Sequence, residues 1–220
     1  MCKKLSSGMP SSDKEYWEAF YARAELTKEP SPFAKLCAKE YVGHGKVLFE
    51  AGCGNGRDAL ALSNAGSFVT AMDQCEQSIT RLKLAHEGNA RLRFLSGDFV
   101  RHTYDAPLDA FYSRFTLHAI AADEERLLLE MVRKALSSGG LMLFEFRGLK
   151  NELNGVGRPV AGEPYMFELD GHRRRFIDTA ELAKRLACSG MDILMCEEKS
   201  GFSPFQGKDE TFARIIARAT

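Results

Sequence analysis

Val47-Leu48-Phe49-Glu50-Ala51-Gly52-Cys53-Gly54-Asn55-Gly56-Arg57-Asp58 is the stretch on which the fold turns. Val47 to Glu50 reads as a short buried strand, glycines follow at every second position, and from Arg57 the apolar spacing becomes helical through Ala59, Leu60, Leu62 and Ala65. A strand, a glycine turn and a helix start in succession let backbone approach a ligand closely. Glycine removes the Cβ atoms in the way, and the first N–H groups of a helix lack intrahelical partners and favour a carboxylate or phosphate.

Working outward, 220 residues suffice for one domain with a full core. The formal net charge is zero, which argues against nucleic acid or an anionic membrane as partner; the local run Arg173-Arg174-Arg175 reads as a solvated strand or turn. The six cysteines (Cys2, Cys37, Cys53, Cys75, Cys188, Cys196) show no C-x-x-C pair and no metal spacing with histidine, so no metal is expected. They fit small core residues of a reducing compartment. With no apolar leader in residues 1–13 and no stretch of membrane-spanning length, a cytoplasmic protein is expected, as a monomer or homodimer.

Residues 1–12 read as disordered and 13–44 as a helical cap. Asp13 caps a helix bearing Tyr16, Trp17, Phe20 and Tyr21, and Ser31-Pro32 starts a second one with Phe33, Leu36, Cys37 and Tyr41. From residue 45 to 220 a single unit is expected. Its further strands are 67–73, 92–95, 108–112 and 141–146, with a helix capped by Asp123 before the last of these. Residues 148–164 read as a loop, and 165–169 with 173–177 as a hairpin. Asp178 with Glu181 starts a helix closed by Gly190, and strands 193–196 and 212–217 pair antiparallel. The alternation gives an α/β fold: a doubly wound, mostly parallel seven-stranded sheet with an antiparallel last strand.

Three acids sit just past strand ends, where ligands of open α/β sheets bind: Glu50, Asp73 and Asp98. Asp73 is placed to accept both hydroxyls of a ribose, and Asp98 an exocyclic amine beside the aromatic edge and N–H of Phe99. The ligand implied is an adenosine with its other end over the glycine turn. Gly54-x-Gly56-x-x-Ala59 also satisfies the dinucleotide pattern. The acid at Glu50, the antiparallel last strands and the lack of a Tyr-x-x-x-Lys pair lean away from NAD.

Glu50-Ala-Gly-Cys-Gly-Asn-Gly56, Asp73, Gly97-Asp98-Phe99, Ser113-Arg-Phe-Thr-Leu-His-Ala-Ile120 and Leu136-Ser-Ser-Gly-Gly-Leu141 together resemble the ordered motifs of class I S-adenosylmethionine-dependent methyltransferases, over about residues 45–147. That family implies a Rossmann-like fold with S-adenosyl-L-methionine as cofactor and S-adenosyl-L-homocysteine as product. By the resemblance, backbone at Gly52, Cys53 and Gly54 holds the methionine part and Glu50 orients that turn. Asp73 takes the ribose with Gln74 beside the adenine, Asp98 and Phe99 hold the adenine edge, and the Ser113 carbonyl receives the ammonium. Trp17-x-x-x-Tyr21 with Phe33 looks like the cap of thiopurine and tellurite methyltransferases, which implies Trp17, Tyr21, Ser31 and Phe33 around the cofactor.

For the acceptor, His118 is the candidate general base, four residues after Arg114 and so able to share a helix face with it. Arg114, Arg147 and Arg158 read as converging on an anionic substrate. Glu145 either pairs with Arg147 or faces the pocket, while His44, His102 and His172 read as surface residues. The expected function is methylation of a small molecule, an anionic or sugar/specialised-metabolite acceptor taking the methyl on oxygen, with no nucleic acid or membrane partner. The alternatives are S-methylation of a thiol or metalloid, a non-catalytic cofactor-binding module, and an NAD-dependent oxidoreductase.

Overall fold

The computed structural model describes Trp17 and residues 29–104, 107–205 and 207–220. Tyr21, residues 1–12 and nearly all of the helix expected from Asp13 lie outside the described residues. The described chain begins with α1 (Pro32–Glu40), whose N-cap Ser31 accepts the Ala34 N–H at 3.0 Å and whose first position is proline. Then come β1 (Val47–Ala51), α2 (Arg57–Asn64), β2 (Phe68–Asp73), α3 (Glu76–Ala85), β3 (Leu92–Ser96) and β4 (Leu108–Arg114). A 3-10 turn (Leu117–Ala119) leads to α4 (Ala122–Ala135) and β5 (Leu136–Phe146).

The tail carries β6 (Arg158–Pro159), β7 (Met166–Leu169), β8 (His172–Arg175), α5 (Thr179–Cys188), β9 (Met191–Lys199) and β10 (Phe212–Ala219). Asp178 caps α5 through Oδ1, which accepts the Glu181 N–H at 3.0 Å. Helix α4, by contrast, is capped at Ala121 rather than Asp123. Its Glu124 carboxylate reaches back to the Ala121 N–H at 3.2 Å, so Asp123 becomes a first-turn acid. The 148–164 segment is not wholly irregular: β6 adds a third strand to the expected hairpin.

Seven strands form one sheet in the order β3-β2-β1-β4-β5-β10-β9. The first five run parallel, and β10 runs antiparallel to both its neighbours. Both faces are buried. Phe49, Phe111 and Phe144 pack with Leu128, Val132, Leu182 and Leu186 on the α4–α5 side. Phe33, Leu48, Leu62, Ile79 and Tyr112 fill the α1–α3 side. The strand order reverses between β1 and β4, so a crevice opens past their carboxyl ends, where the glycine turn lies.

Candidate functional site

The turn after β1 is tied down by its own backbone. The Gly52 and Cys53 N–H groups donate to the Met72 carbonyl at 2.8 and 3.0 Å. The Gly54 N–H donates to Oδ2 of Asp73 at 2.8 Å, and Ser78 Oγ returns a bond to the Gly54 carbonyl at 2.7 Å. Gly52 has φ +67° and a Cβ there would stand 2.0 Å from Cγ2 of Thr116, so this close approach admits only glycine. Phe99, buried, brings its ring to 4.0 Å from the same point. The turns after β1, β3 and β4 therefore meet at Gly52.

Glu50, Asp58 and Asp73 surround this turn and are all buried. Burial holds the Glu50 carboxyl well above the ordinary carboxylate range, and the charges of Asp58 and Asp73 push it further. Its Oε2 has no hydrogen-bond partner among the described residues. A buried acceptor left open among carboxylates is matched by a cationic donor group, such as an ammonium. Asp73 is also raised by burial, against which the N–H groups of Cys75, Gly54 and Gln74 work. The same burial and the charges of Glu50 and Asp73 push the Cys53 thiol up, away from the thiolate form.

Sequence reasoning missed what lies behind the turn. Asp58, in the first turn of α2, accepts the Ser31 N–H at 2.8 Å, Ser31 Oγ at 2.7 Å and Tyr112 Oη at 2.8 Å. Ser31 thus spends its polar groups on Asp58 and on α1. Phe33 is fully buried and stacked on Tyr112 with centroids 5.2 Å apart. Both were expected to line the cofactor; both instead brace α2 from behind, since neither has a free face to offer. The Asp98 carboxylate is half-buried, with Oδ1 on the Val100 N–H at 2.9 Å and Oδ2 on Arg101.

Past β4, Ser113 lies beside Ala51 in register and its Oγ bonds Thr116 Oγ1. Arg114 ends the strand, and Phe115 follows with φ +62°, so Arg114 and His118 share no helix face. The Arg114 Nε donates to Glu145 Oε1 at 2.8 Å, and Arg214 Nε holds Oε2 of the same fully buried carboxylate at 2.7 Å. Glu145 therefore pairs with Arg114 and Arg214 rather than Arg147. His118 is buried, and its Nδ1 accepts the Arg147 N–H at 3.2 Å. That bond leaves the imidazole proton on Nε2. Burial, then the charges of Arg147, His172, Arg174 and Arg175, holds it well below the ordinary histidine range. The ring is a neutral N–H donor, which suits the base role poorly.

The arginines do not converge as expected either, because each is drawn to its own carboxylate, Arg114 sharing Glu145 with Arg214. Arg147 pairs with Glu210, and exposed Arg158 with Glu168 across β6–β7 at 3.2 Å. Arg175 departs most from its expected solvated place. It is buried, pairs with Glu125, and donates to the Leu117 and Ile120 carbonyls at 3.0 Å each, fastening β8 to the turn that carries His118. His172 is likewise buried rather than a surface residue. Trp17 meets it edge-to-face at 5.0 Å, and burial beside Arg174 and Arg147 pulls it down to about 4. His102 stacks on Phe49 at 5.1 Å.

A family profile described as "Methyltransferase domain" matches residues 49–144. The tRNA N(3)-cytidine methyltransferase METTL6 of Mus musculus is 28% identical over 201 residues, covering 82% of this chain and 70% of that protein. The tRNA N(3)-methylcytidine methyltransferase trm140 of Schizosaccharomyces pombe is 26% identical over 190 residues, covering 77% and 61%. Among solved structures, the glycopeptide N-methyltransferase MtfA complexed with S-adenosyl-L-homocysteine superposes with a TM-score of 0.66 at 17% identity, covering 90% of this chain and 93% of that one. The expectation of a small-molecule acceptor and no nucleic-acid partner does not survive the two curated relatives, whose acceptors are tRNA. It rested on a net charge of zero, which sums over the surface and says nothing of local binding. Sheet order, glycine turn and profile agree: residues 49–144 form a methyltransferase domain on the Rossmann-like class I fold, whose methyl donor is S-adenosylmethionine.

Proposed function

We propose that this chain methylates N3 of a cytidine in RNA. The observation that carries the reading is the likeness to two tRNA N(3)-cytidine methyltransferases along most of the chain's length. The geometry past β4 is compatible with it. Cytosine N3 carries its lone pair at neutral pH, so no proton has to be removed before attack, and a neutral N–H donor at His118 serves better than a base.

The donor, when bound, supplies a methyl already activated on a sulfonium. In this proposal the backbone of Gly52, Cys53 and Gly54 cradles its methionine end. The open Oε2 of Glu50 and the Ser113 carbonyl answer the ammonium. Asp73 takes the ribose, and Gln74, Asp98 and Phe99 line the adenine. What remains for the protein is alignment and exclusion of water, worth up to roughly 7–11 kcal/mol in ideal cases. His118, steadied by the Arg147 N–H and by the turn that Arg175 grips, orients the base through Nε2–H. The five described cysteines are free, which fits a place in the reducing cytoplasm, and no described helix is long and apolar enough to cross a membrane.

The test is direct. The protein is incubated with S-adenosylmethionine and unmodified tRNA, the RNA is digested, and nucleosides are separated by mass spectrometry. 3-Methylcytidine should appear only with both protein and donor. Tight S-adenosylhomocysteine binding without any methylated nucleoside would overturn the RNA reading and leave the methyl-donor site standing.

A further inference from the structure

The loop between β9 and β10 stands at the carboxyl end of β5, because Ala213 pairs with Phe146 and Phe212 with Lys199. It is rooted at every turn. Arg214 Nη2 donates to the Phe202 carbonyl at 2.8 Å, and its guanidinium lies 4.0 Å over the Phe202 ring. Ser203 Oγ donates to Glu145 at 2.7 Å. The Gly201 N–H is held by Asp209 at 2.7 Å, and Glu210 by Arg147. Phe205 and Lys208 then close the tip, each N–H on the other's carbonyl at 2.8 and 2.9 Å.

Phe205 and Lys208 present an unusual pair of side chains there. Phe205 is 64% exposed, among the most exposed large apolar side chains of the described residues. Lys208 is exposed and has no ion pair among the described residues, since the acids beside it, Asp209 and Glu210, are spent on Gly201 and Arg147. A loop end that shows solvent an aromatic face and an unneutralised ammonium has the two elements that hold single-stranded nucleic acid: a stacking platform and a phosphate partner. The loop's root touches the acceptor side directly, since the arginine that grips Glu210 also donates its N–H to His118.

We propose that the β9–β10 loop is a docking finger for the RNA strand flanking the acceptor nucleotide, with Phe205 stacked on a neighbouring base and Lys208 on its phosphate. The inference rests on the RNA reading above. Base stacking on an aromatic side chain implies that Phe205→Ala raises the KM for tRNA about 5- to 150-fold. Phe205→Tyr should keep it within about twofold, because the platform persists. Lys208→Glu should flatten the log–log salt dependence of that KM by roughly one unit. The rate at saturating tRNA, the S-adenosylhomocysteine affinity and the melting temperature should hold in all three variants.

Steady-state methylation against tRNA concentration, calorimetry with S-adenosylhomocysteine and thermal melts read these out. Wild-type activity on tRNA with an unchanged KM in Phe205→Ala would overturn the finger while leaving the RNA reading intact; the exposed ring would then belong to a protein contact. A KM loss accompanied by an equal fall in donor affinity or melting temperature would also overturn it. A wild-type chain inactive on tRNA would overturn the RNA reading and the finger with it.

Discussion

Replacing Gly52 with alanine would place a methyl carbon 2.0 Å from Cγ2 and 3.3 Å from Cβ of Thr116, on a backbone with φ +67°. Two costs add. An L-residue in the left-handed region costs about 1–2 kcal/mol, and forcing a methyl into a packed contact costs about 1–3 kcal/mol. Gly52→Ala should therefore destabilise the fold by about 2–5 kcal/mol. The second cost resides almost wholly in one atom. Thr116→Ser removes Cγ2 but keeps the hydroxyl that bonds Ser113, at a cost of about 1 kcal/mol for the lost methyl. In that background Gly52→Ala should cost about 1–3 kcal/mol less, leaving the backbone share. Urea unfolding of the four proteins in this cycle gives the coupling, and S-adenosylhomocysteine calorimetry follows the donor site in parallel. Affinity should drop in Gly52→Ala and recover in part in the double variant. Additivity within about 0.5 kcal/mol would refute the claim that the turn after β4 is seated on the glycine turn.

Asp73→Asn should weaken S-adenosylhomocysteine by about 1–3 kcal/mol, the worth of charged hydrogen bonds; unchanged calorimetric affinity would remove Asp73 from the site. Tyr112→Phe takes one donor from buried Asp58 and should lower stability by about 1–3 kcal/mol in denaturant titrations. Arg214→Met leaves Glu145 to Arg114 and Ser203 and should cost about 3–5 kcal/mol; a neutral effect would show that the pair contributes little. His172 has its folded pKa depressed from 6.5 to about 4, so the unfolded chain binds the extra proton and stability falls as pH drops through that window. Between those limits wild type should lose about 1.4 kcal/mol per pH unit more than His172→Gln. Parallel curves would place His172 in solvent. His118→Ala should lower the methylation rate by a similar factor from pH 6 to 9, whereas loss of an acid limb present in wild type would restore the base role.

Much of the donor side was legible because it is written locally. Gly52, Gly54 and Gly56 are demanded by a backbone that runs left-handed, and Asp73 stands at a strand end that periodicity alone locates. Ser31-Pro32 and Asp178 were read as helix starts from their own side chains, and both cap helices. Where the local signal was ambiguous, the reading slipped. Asp123 looked like a cap, yet the extended backbone two residues earlier at Ala121 starts α4. His118 and Arg114, four apart, suggested a helix face that the left-handed Phe115 breaks.

The sequence by itself determined the α/β alternation, the seven-stranded sheet with its antiparallel end and the nature of the methyl donor, because each depends on short-range pattern: strand runs, caps and a glycine turn within a few residues of one another. Tertiary structure alone decided how the charges are spent. Arg114, Arg147 and Arg158 looked like a converging set and Arg175 like a solvated residue, and only the distant partners Glu145, Glu210, Glu168 and Glu125 show that each is held in place by a carboxylate. Ion pairing joins residues tens of positions apart, so no window of sequence contains both partners. The same holds for the open Glu50 carboxylate, the brace behind Gly52 and the exposed tip at Phe205, each defined by what the rest of the chain does or does not bring to it.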